Sequence, residues 1–188
     1  MNDINLFPFP NSIYLKKIKS KSEISSADKC DGYLIESNEK EARRIIESLK
    51  VKSENKIIAV MGSDDLFNRR AVETLKIDYL VSPEHGQKTD SLKQSDSGLN
   101  HVVAKEAKKK NISIVINLSE ISKLSKEQKA IRLSRIIQNI SICRRAKCGL
   151  KIASLAEKKE NVINEVGRKS FGLSFGMSTK EAKNSTLF

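Results

Sequence analysis

The stretch KIIAVMGSDDLFNRRAVETLKIDYLVS, residues 56–82, decides the fold class. It contains two apolar runs, which predict strands at 56–61 and 78–82, and between them a segment with apolar residues at helical spacing over 64–75. Asp64 can cap the start of that helix. Continuous rather than alternating apolar runs are typical of strands that are covered on both faces. The stretch therefore predicts a strand–helix–strand unit of a parallel sheet.

The same alternation extends from this unit in both directions. Apolar runs predict further strands at 3–6, 32–35, 112–117 and 150–154, and helical spacing predicts helices at 39–50, 97–110 and 126–147. A capping box at 178–181 opens a last short helix. Because only 3 Pro and 8 Gly are present and no linker divides the chain, we predict one α/β domain, 1–188, with a long mobile loop over 83–96. Periodicity leaves open whether the sheet closes as a barrel.

The composition indicates an anionic partner. The 188 residues carry 35 Lys and Arg against 23 Asp and Glu, a net charge of +12. A polyphosphate such as RNA or DNA fits this charge, although a solvated Lys-rich surface is the alternative. Aromatic residues are 5% with no Trp, which favours phosphate contact over base stacking. The three cysteines, and the lack of a signal peptide or an apolar run long enough to span a membrane, predict a cytoplasmic protein without membrane contact.

Side chains for independent catalysis are scarce. Only two histidines are present, His85 and His101, too few for the usual hydrolytic metal centres. Asp64 and Asp65 are explained more simply as a helix cap and a first-turn acid than as magnesium ligands. The sequence has no G-x-S-x-G nucleophile motif and no G-x-G-x-x-G dinucleotide motif. We therefore expect no catalytic and no metal-binding residue, and a chain that is a poor enzyme by itself.

Basic residues are the best-organised candidates for function. The expected RNA or partner contacts lie in three clusters: Lys16 and Lys17; Arg69 and Arg70; Arg132, Arg135, Arg144 and Arg145. Helical spacing predicts that Arg132, Arg135 and Arg145 point away from the apolar stripe of their helix. An Arg fork can donate two hydrogen bonds to one phosphate, which makes these residues stronger candidates than the lysines. Asn68 is predicted to face the sheet, half buried, with its amide satisfied.

An ordered series of runs resembles a known family. The series comprises residues 68–73, 76–83, 97–105 with Ala107, 114–118, Arg132, 152–156, and 171–173 continuing to 176–177. With compatible spacing over most of 55–185, it is similar to ribonuclease P protein component 3, the archaeal counterpart of the thirty-kilodalton subunit of eukaryotic ribonuclease P. The resemblance implies a fold like a TIM barrel, here in a short chain that leaves open whether the barrel is complete. Asn117 and Ser154 lie in matching runs and, with Asn68, are expected to be structural polar residues.

The resemblance also implies a function. Members of the family belong to the ribonucleoprotein that removes the 5′ leader from precursor tRNA, in which the RNA carries the chemistry. The implied partners are the ribonuclease P RNA, protein component 2 and other protein components, with precursor tRNA in the assembled particle. The chain itself is expected to bind no cofactor, and Mg²⁺ is expected for the catalytic RNA. The alternative is an independent TIM-like metal-dependent phosphoesterase or nuclease, but related metal hydrolases begin with His-x-His where this chain has Asp3-Ile4-Asn5-Leu6.

Overall fold

Seven parallel strands form one sheet in the order of the chain. The computed structural model describes residues 3–25, 27–52, 56–86 and 96–188. The strands are β1 (Ile4–Asn5), β2 (Ile13–Ile18), β3 (Gly32–Ile35), β4 (Ile57–Met61), β5 (Tyr79–Val81), β6 (Ser113–Asn117) and β7 (Leu150–Ala153). Each strand pairs in parallel with the next. A sheet in which all neighbours are sequential and parallel curves toward a barrel.

Seven α-helices cover the outside of this sheet within the described residues. They are α1 (Glu39–Lys52), α2 (Asp65–Thr74), α3 (His101–Lys109), α4 (Leu118–Ser122), α5 (Lys126–Ala146), α6 (Glu165–Ser174) and α7 (Thr179–Ser185). Side-chain caps fix several helix starts: Asp64 begins α2, Asn100 begins α3 and Ser178 begins α7. Such caps satisfy amide groups that have no partner inside the helix.

Backbone hydrogen bonds bridge the seam between the last strand and the first. The Leu155 amide donates to the Ile4 carbonyl and the Leu6 amide donates to the Ala156 carbonyl, both at 2.8 Å. The segment that follows β7 therefore continues the sheet onto β1, although it is too short to count as a paired strand. The α/β TIM-barrel-like prediction is confirmed, as a nearly closed barrel of seven strands.

The barrel interior is filled by small and branched side chains. One cluster inside it draws members from all seven strands, among them Leu15, Leu34, Ala59, Val115 and Ala153. A larger cluster packs helices α1, α2 and α3 against the outer face of β2 to β6. A third cluster joins α5, α6 and α7 to β6 and β7. Continuous apolar strands are thus buried on both faces, which is the physical reason for the sequence pattern.

The first units of the barrel differ from the regular alternation. β1 and β2 are parallel but are joined by residues 6–12 without a helix, and only a short 3-10 turn, Lys21–Glu23, lies between β2 and β3 in the described residues. The sequence pattern identified 16–17 as a basic cluster and not as part of strand β2. Alternation along β2 buries Ile13 and Leu15 and leaves both lysines at least partly exposed.

The predicted loop at 83–96 falls largely outside the described residues, which omit 87–95. At its beginning, Pro83–His85 forms a 3-10 turn in which Pro83 and Glu84 are buried. At its end, Ser97 and Leu99 are buried before α3 begins. Both described flanks of the loop are therefore packed against the barrel.

Candidate functional site

The carboxyl ends of β4, β5 and β6 meet in a polar cluster on one rim of the barrel. Parallel barrels place ligand-binding and catalytic groups at this end, because loops from all strands converge there. The cluster comprises Asn68, Glu84, His85, Ser97, Glu120, Arg132, Arg135 and Asn139. We call these residues the rim cluster. Most of its members are buried, so their hydrogen bonds decide which conformations the rim loops adopt.

Asn68 joins three segments of the rim. It lies in the first turns of α2 with its side chain fully buried. Its Oδ1 accepts from the Ser63 amide at 2.9 Å, and its Nδ2 donates to the carbonyls of Pro83 and Gly98 at 2.9 Å each. The one side chain therefore ties the loop after β4, the turn after β5 and the segment before α3 together.

An acid–base group lies beside it. Arg132 Nη1 donates to Glu120 Oε1 at 3.2 Å and lies 4.0 Å from Glu84 Oε1. His85 Nδ1 contacts the same oxygen of Glu120. Glu84 is 1% exposed, whereas the His85 ring is almost half exposed. A buried carboxylate and a more exposed carboxylate–histidine pair thus share one arginine.

These surroundings shift the pKa values of three groups. Burial raises the pKa of Glu84 to about 7, because the nearby Arg132 charge offsets only part of the desolvation. The hydrogen bond with Glu120 raises the pKa of His85. Burial acts to raise the pKa of Glu120, but its bonds with His85 and Arg132 outweigh that effect and lower it. Near neutral pH, Glu84 is poised between its protonated and ionised forms.

Arg135 and Asn139 hold the chain that follows β5. Arg135 Nη1 donates to the carbonyls of Glu84 at 3.2 Å and Gly86 at 3.0 Å. Asn139 Nδ2 donates to the Ser97 carbonyl at 3.1 Å and contacts Glu84 Oε2 at 3.4 Å. Both side chains come from α5, so this helix fastens the two described ends of the 83–96 loop.

The predicted orientation of Arg132 and Arg135 is wrong. Both were expected to point away from the apolar face of α5, yet both are buried on it, at 8% and 6% exposure. The buried face of α5 begins with these arginines because its first turns lie against the polar rim, and it becomes apolar only where it reaches the wall of the barrel. Helical spacing of apolar residues alone places the stripe incorrectly at this end.

The other candidate contacts are dispersed over the surface. Arg69 and Arg70 are exposed on α2, where Arg69 pairs with Glu73 at 2.7 Å and Arg70 pairs with a glutamate of α1 at 2.8 Å. Lys16 and Lys17 of β2 pair with Asp28 and Glu36, at 2.8 and 3.0 Å. These ion pairs connect surface elements and leave the charged groups accessible.

Arg144 and Arg145 lie at the opposite end of the barrel, in the last turn of α5. Arg144 is held in a bidentate pair with Glu181, at 2.6 and 2.8 Å, and Arg145 is exposed. The structure therefore does not bring the predicted basic residues into one patch. It divides them between the carboxyl rim, strand β2, the α1–α2 surface and the amino-terminal end.

Two further polar residues stabilise loops beside the rim cluster. Asn117 caps α4 by accepting from the Glu120 amide at 3.2 Å, which places Glu120 at the end of β6. The Ser154 hydroxyl exchanges hydrogen bonds with the backbone of Ile163, at 2.9 and 3.2 Å. Each side chain fixes a loop that leaves the carboxyl end of a strand.

Five members of the rim cluster are not predicted from the sequence: Glu84, His85, Ser97, Glu120 and Asn139. The sequence carried one usable signal for Glu84, since Ser82-Pro83-Glu84-His85 directly follows an apolar strand. Asn139 carried none, because its partners are 42 and 55 residues away along the chain. Within 3–25, 27–52, 56–86 and 96–188, no group of three or more His, Cys, Asp or Glu side chains converges as metal ligands. No helix in these ranges is both long and apolar enough to cross a membrane.

Curated proteins resemble between about two thirds and nine tenths of this chain. Ribonuclease P protein component 3 of Methanothermobacter thermautotrophicus is 23% identical over 172 residues, which cover 91% of this chain and 66% of the relative. The protein of the same description from Methanococcus vannielii is 26% identical over 121 residues, covering 64% of this chain and 48% of the relative. The chain thus spans about half to two thirds of the length of these curated relatives.

A solved structure has the same fold. A chain in the cryo-EM structure of archaeal ribonuclease P with mature tRNA superposes with a TM-score of 0.74 at 19% identity, covering 97% of this chain and 85% of that chain. The model of the family described as RNase P subunit p30 matches residues 3–187, from β1 through the end of α7. The barrel, its rim and its last helix all lie within that match, and the chain belongs to the RNase P subunit p30 family.

Proposed function

We propose that this chain is a protein subunit of ribonuclease P, which assists a catalytic RNA in removing the 5′ leader from precursor tRNA. The observation that carries the proposal is the family match over 3–187, which includes every strand of the barrel. The rim cluster supports a non-catalytic role. Arg132, Arg135 and Asn139 are directed at carbonyls and carboxylates of the chain itself.

The proposal includes the partners and the reaction. The subunit binds the ribonuclease P RNA and protein component 2, and acts with other protein components on precursor tRNA in the cytoplasm. It is an RNA-binding part of an endonuclease, and by itself it is inactive. The hydrolytic chemistry, with its Mg²⁺, belongs to the RNA, and this chain holds no cofactor.

Two groups of arginines have different tasks under this proposal. Arg69, Arg70, Arg144 and Arg145, together with Lys16 and Lys17, contact RNA or a partner protein from exposed positions. Arg132 and Arg135 act as positioning residues, because their guanidinium groups hold residues 84–86 and the start of α4 in place. The rim loops then present a fixed surface to the particle.

Reconstitution tests the function. The cognate RNA and component 2 are assayed for cleavage of precursor tRNA with and without this chain, at equal Mg²⁺. We expect a higher cleavage rate when the chain is present and no cleavage by the chain alone. Cleavage by the purified chain without RNA, abolished by EDTA, would instead establish an independent metal-dependent nuclease.

Arg→Lys variants separate the two tasks. Lys keeps the charge but cannot reproduce the planar fork. Arg132→Lys is expected to lower both the thermal midpoint and the reconstituted rate, whereas Arg69→Lys, on an exposed helix face, is expected to keep the thermal midpoint and to lower only the rate. If Arg132→Lys has full activity at low and moderate salt, its role is only to contribute positive charge.

A further inference from the structure

A basic cleft lies at the amino-terminal end of the barrel, opposite the rim cluster. It is a hollow of about 290 Å³ between the last turns of α3 and α5, the start of β7 and α7. Four of its lining side chains are cationic: Lys108, Arg144, Lys147 and Lys151. We call this hollow the basic cleft. Glu181 is the one acidic residue among the described residues that line it.

The acidic residue does not neutralise the cleft. Glu181 accepts both hydrogen bonds of the Arg144 fork, and this pair, with further hydrogen bonds from Ser178, holds the pKa of Glu181 at about 2. Lys151 donates to the carbonyl of Asn184 at 3.1 Å. Lys108 and Lys147 are exposed, and neither forms an ion pair with a carboxylate in the described part of the chain. Two ammonium groups are therefore available to an anion.

The backbone conformation at Lys147 allows a substitution that removes its charge and keeps the fold. Lys147 follows α5 in the left-handed conformation, with φ of 55°. Glycine is the residue that normally ends a helix this way, because a side chain at positive φ is strained. Asn11, Ser82, Asn111 and Leu155 also have a positive φ, so this conformation does not itself mark a binding site, but glycine can replace Lys147 and keep the turn.

The chemistry of the cleft fits the phosphate backbone of RNA. Within the described residues its lining contains no aromatic ring on which a base could stack. Its cations come from three separate elements, an arrangement that suits successive phosphates better than one small ligand. Resting on the proposed function, we infer that Lys108 and Lys147 bind phosphates of the ribonuclease P RNA, so that the RNA contacts the end of the barrel opposite the rim.

Binding measurements on a charge-matched set of variants test the inference. Lys147→Gly removes the charge and also relieves the positive φ, so the fold is kept. Lys108→Ala combined with Lys147→Gly is compared with Lys158→Ala combined with Lys159→Ala, which removes two exposed lysines beyond the carboxyl end of β7. The affinity of each full-length protein for the cognate ribonuclease P RNA is measured from about 50 to 200 mM salt.

The expected result is specific to the cleft. The plot of log affinity against log salt has a negative slope, and loss of two phosphate contacts makes that slope less steep by about 1.4–1.8. Binding at low salt weakens by roughly tenfold or more. The Lys158/Lys159 pair is expected to change the slope by less than about 0.5. Equal losses of RNA affinity in both double variants would show that Lys108 and Lys147 only add to a diffuse positive charge. That result would overturn the inference and leave the proposed function intact. A wild-type chain that neither binds this RNA nor stimulates its cleavage overturns both.

A thiol in the cleft provides a measurement without charge changes. Cys148 lies in the lining beside Lys108 and is 9% exposed, so a small reagent is needed to reach its thiol. We expect saturating ribonuclease P RNA to slow alkylation of Cys148 by iodoacetamide several-fold, as followed by mass spectrometry, with the buried Cys30, which lies outside the cleft lining, as the reference. Unchanged alkylation of Cys148 in the complex contradicts the inference. Protection by component 2 alone would assign the cleft to a protein partner instead.

Discussion

Asn68 shows how one buried amide determines the geometry of a rim. Its side chain bonds the backbone of residues that lie 5, 15 and 30 positions away. We expect Asn68→Ala to lower the free energy of unfolding by roughly 1–3 kcal/mol, because buried carbonyls and an amide lose their partner. Chemical denaturation measures the loss. Asn161→Ala, at an exposed position, is the control and should change stability little.

An unchanged midpoint for Asn68→Ala would show that water satisfies the same backbone groups. The hydrogen bonds of Asn68 would then be a consequence of the rim geometry and not its cause.

Glu84 and His85 predict that stability depends on pH. The folded-state pKa of Glu84 is about 7 against an ordinary 4.5, so between these values the folded protein binds more protons than the unfolded one. Stability therefore falls as pH rises through this window, by an amount on the order of 2–3 kcal/mol. The raised pKa of His85 acts in the same direction, because its stabilising charge is lost as pH rises through the folded value.

The Glu84→Gln variant isolates the carboxyl group. Gln resembles the protonated acid in shape, so we expect the variant to keep most of its stability from pH 5 to 8 where the wild type declines. Glu127→Gln, at an exposed position in the first turn of α5, serves as the control. Parallel curves of unfolding free energy against pH for wild type and Glu84→Gln would refute the assignment.

Among the secondary-structure elements, α6 is fastened to the seam of the barrel by a buried ion pair. Arg168 is 2% exposed and pairs with Asp3, which also accepts from the amides of Ile4 at 2.8 Å and Ser154 at 2.9 Å. We expect Arg168→Ala to cost roughly 3–5 kcal/mol, because the carboxylate is left buried without its counter-charge. Urea denaturation at neutral pH provides the measurement.

A double-mutant cycle distinguishes pairing from packing. Asp3→Asn combined with Arg168→Met should be less destabilising than the sum of the two single changes, because the second substitution removes the charge that the first leaves unpaired. Strict additivity would mean that the two side chains stabilise the seam independently.

At the scale of the whole molecule, we predict that the isolated protein holds no stoichiometric metal. The first strand carries Asp3-Ile4-Asn5-Leu6 and no His-x-His pair, and Asp3 contacts Arg168 and backbone amides. Elemental analysis after dialysis should find well under one Zn²⁺ or Mn²⁺ per chain. About one tightly bound ion, together with EDTA-sensitive cleavage of precursor tRNA, would overturn this prediction.

The sequence by itself determined the class of fold and the family. Apolar runs separated by helical stretches predict buried parallel strands, because a strand covered on both faces needs apolar side chains on both. That signal is local, and it located five of the seven strands closely, with β1 predicted only approximately at 3–6. β2 was missed because two lysines interrupt its apolar pattern. The family resemblance, which rests on a series of matching runs in the same order along the chain, is also confirmed.

Only the tertiary structure decided how the polar residues are used. Arg132 and Arg135 lie on a buried face because the rim that they contact is itself polar. Their hydrogen-bond partners there are 12 and 51 positions away in the sequence. The closure of the barrel depends on the contact between 154–156 and β1, at a separation of about 150 residues. Periodicity reports which side of an element is apolar, but a hydrogen bond between distant segments leaves no periodic trace in either. The partners of each charge, and hence the site, follow from the packing of the complete barrel.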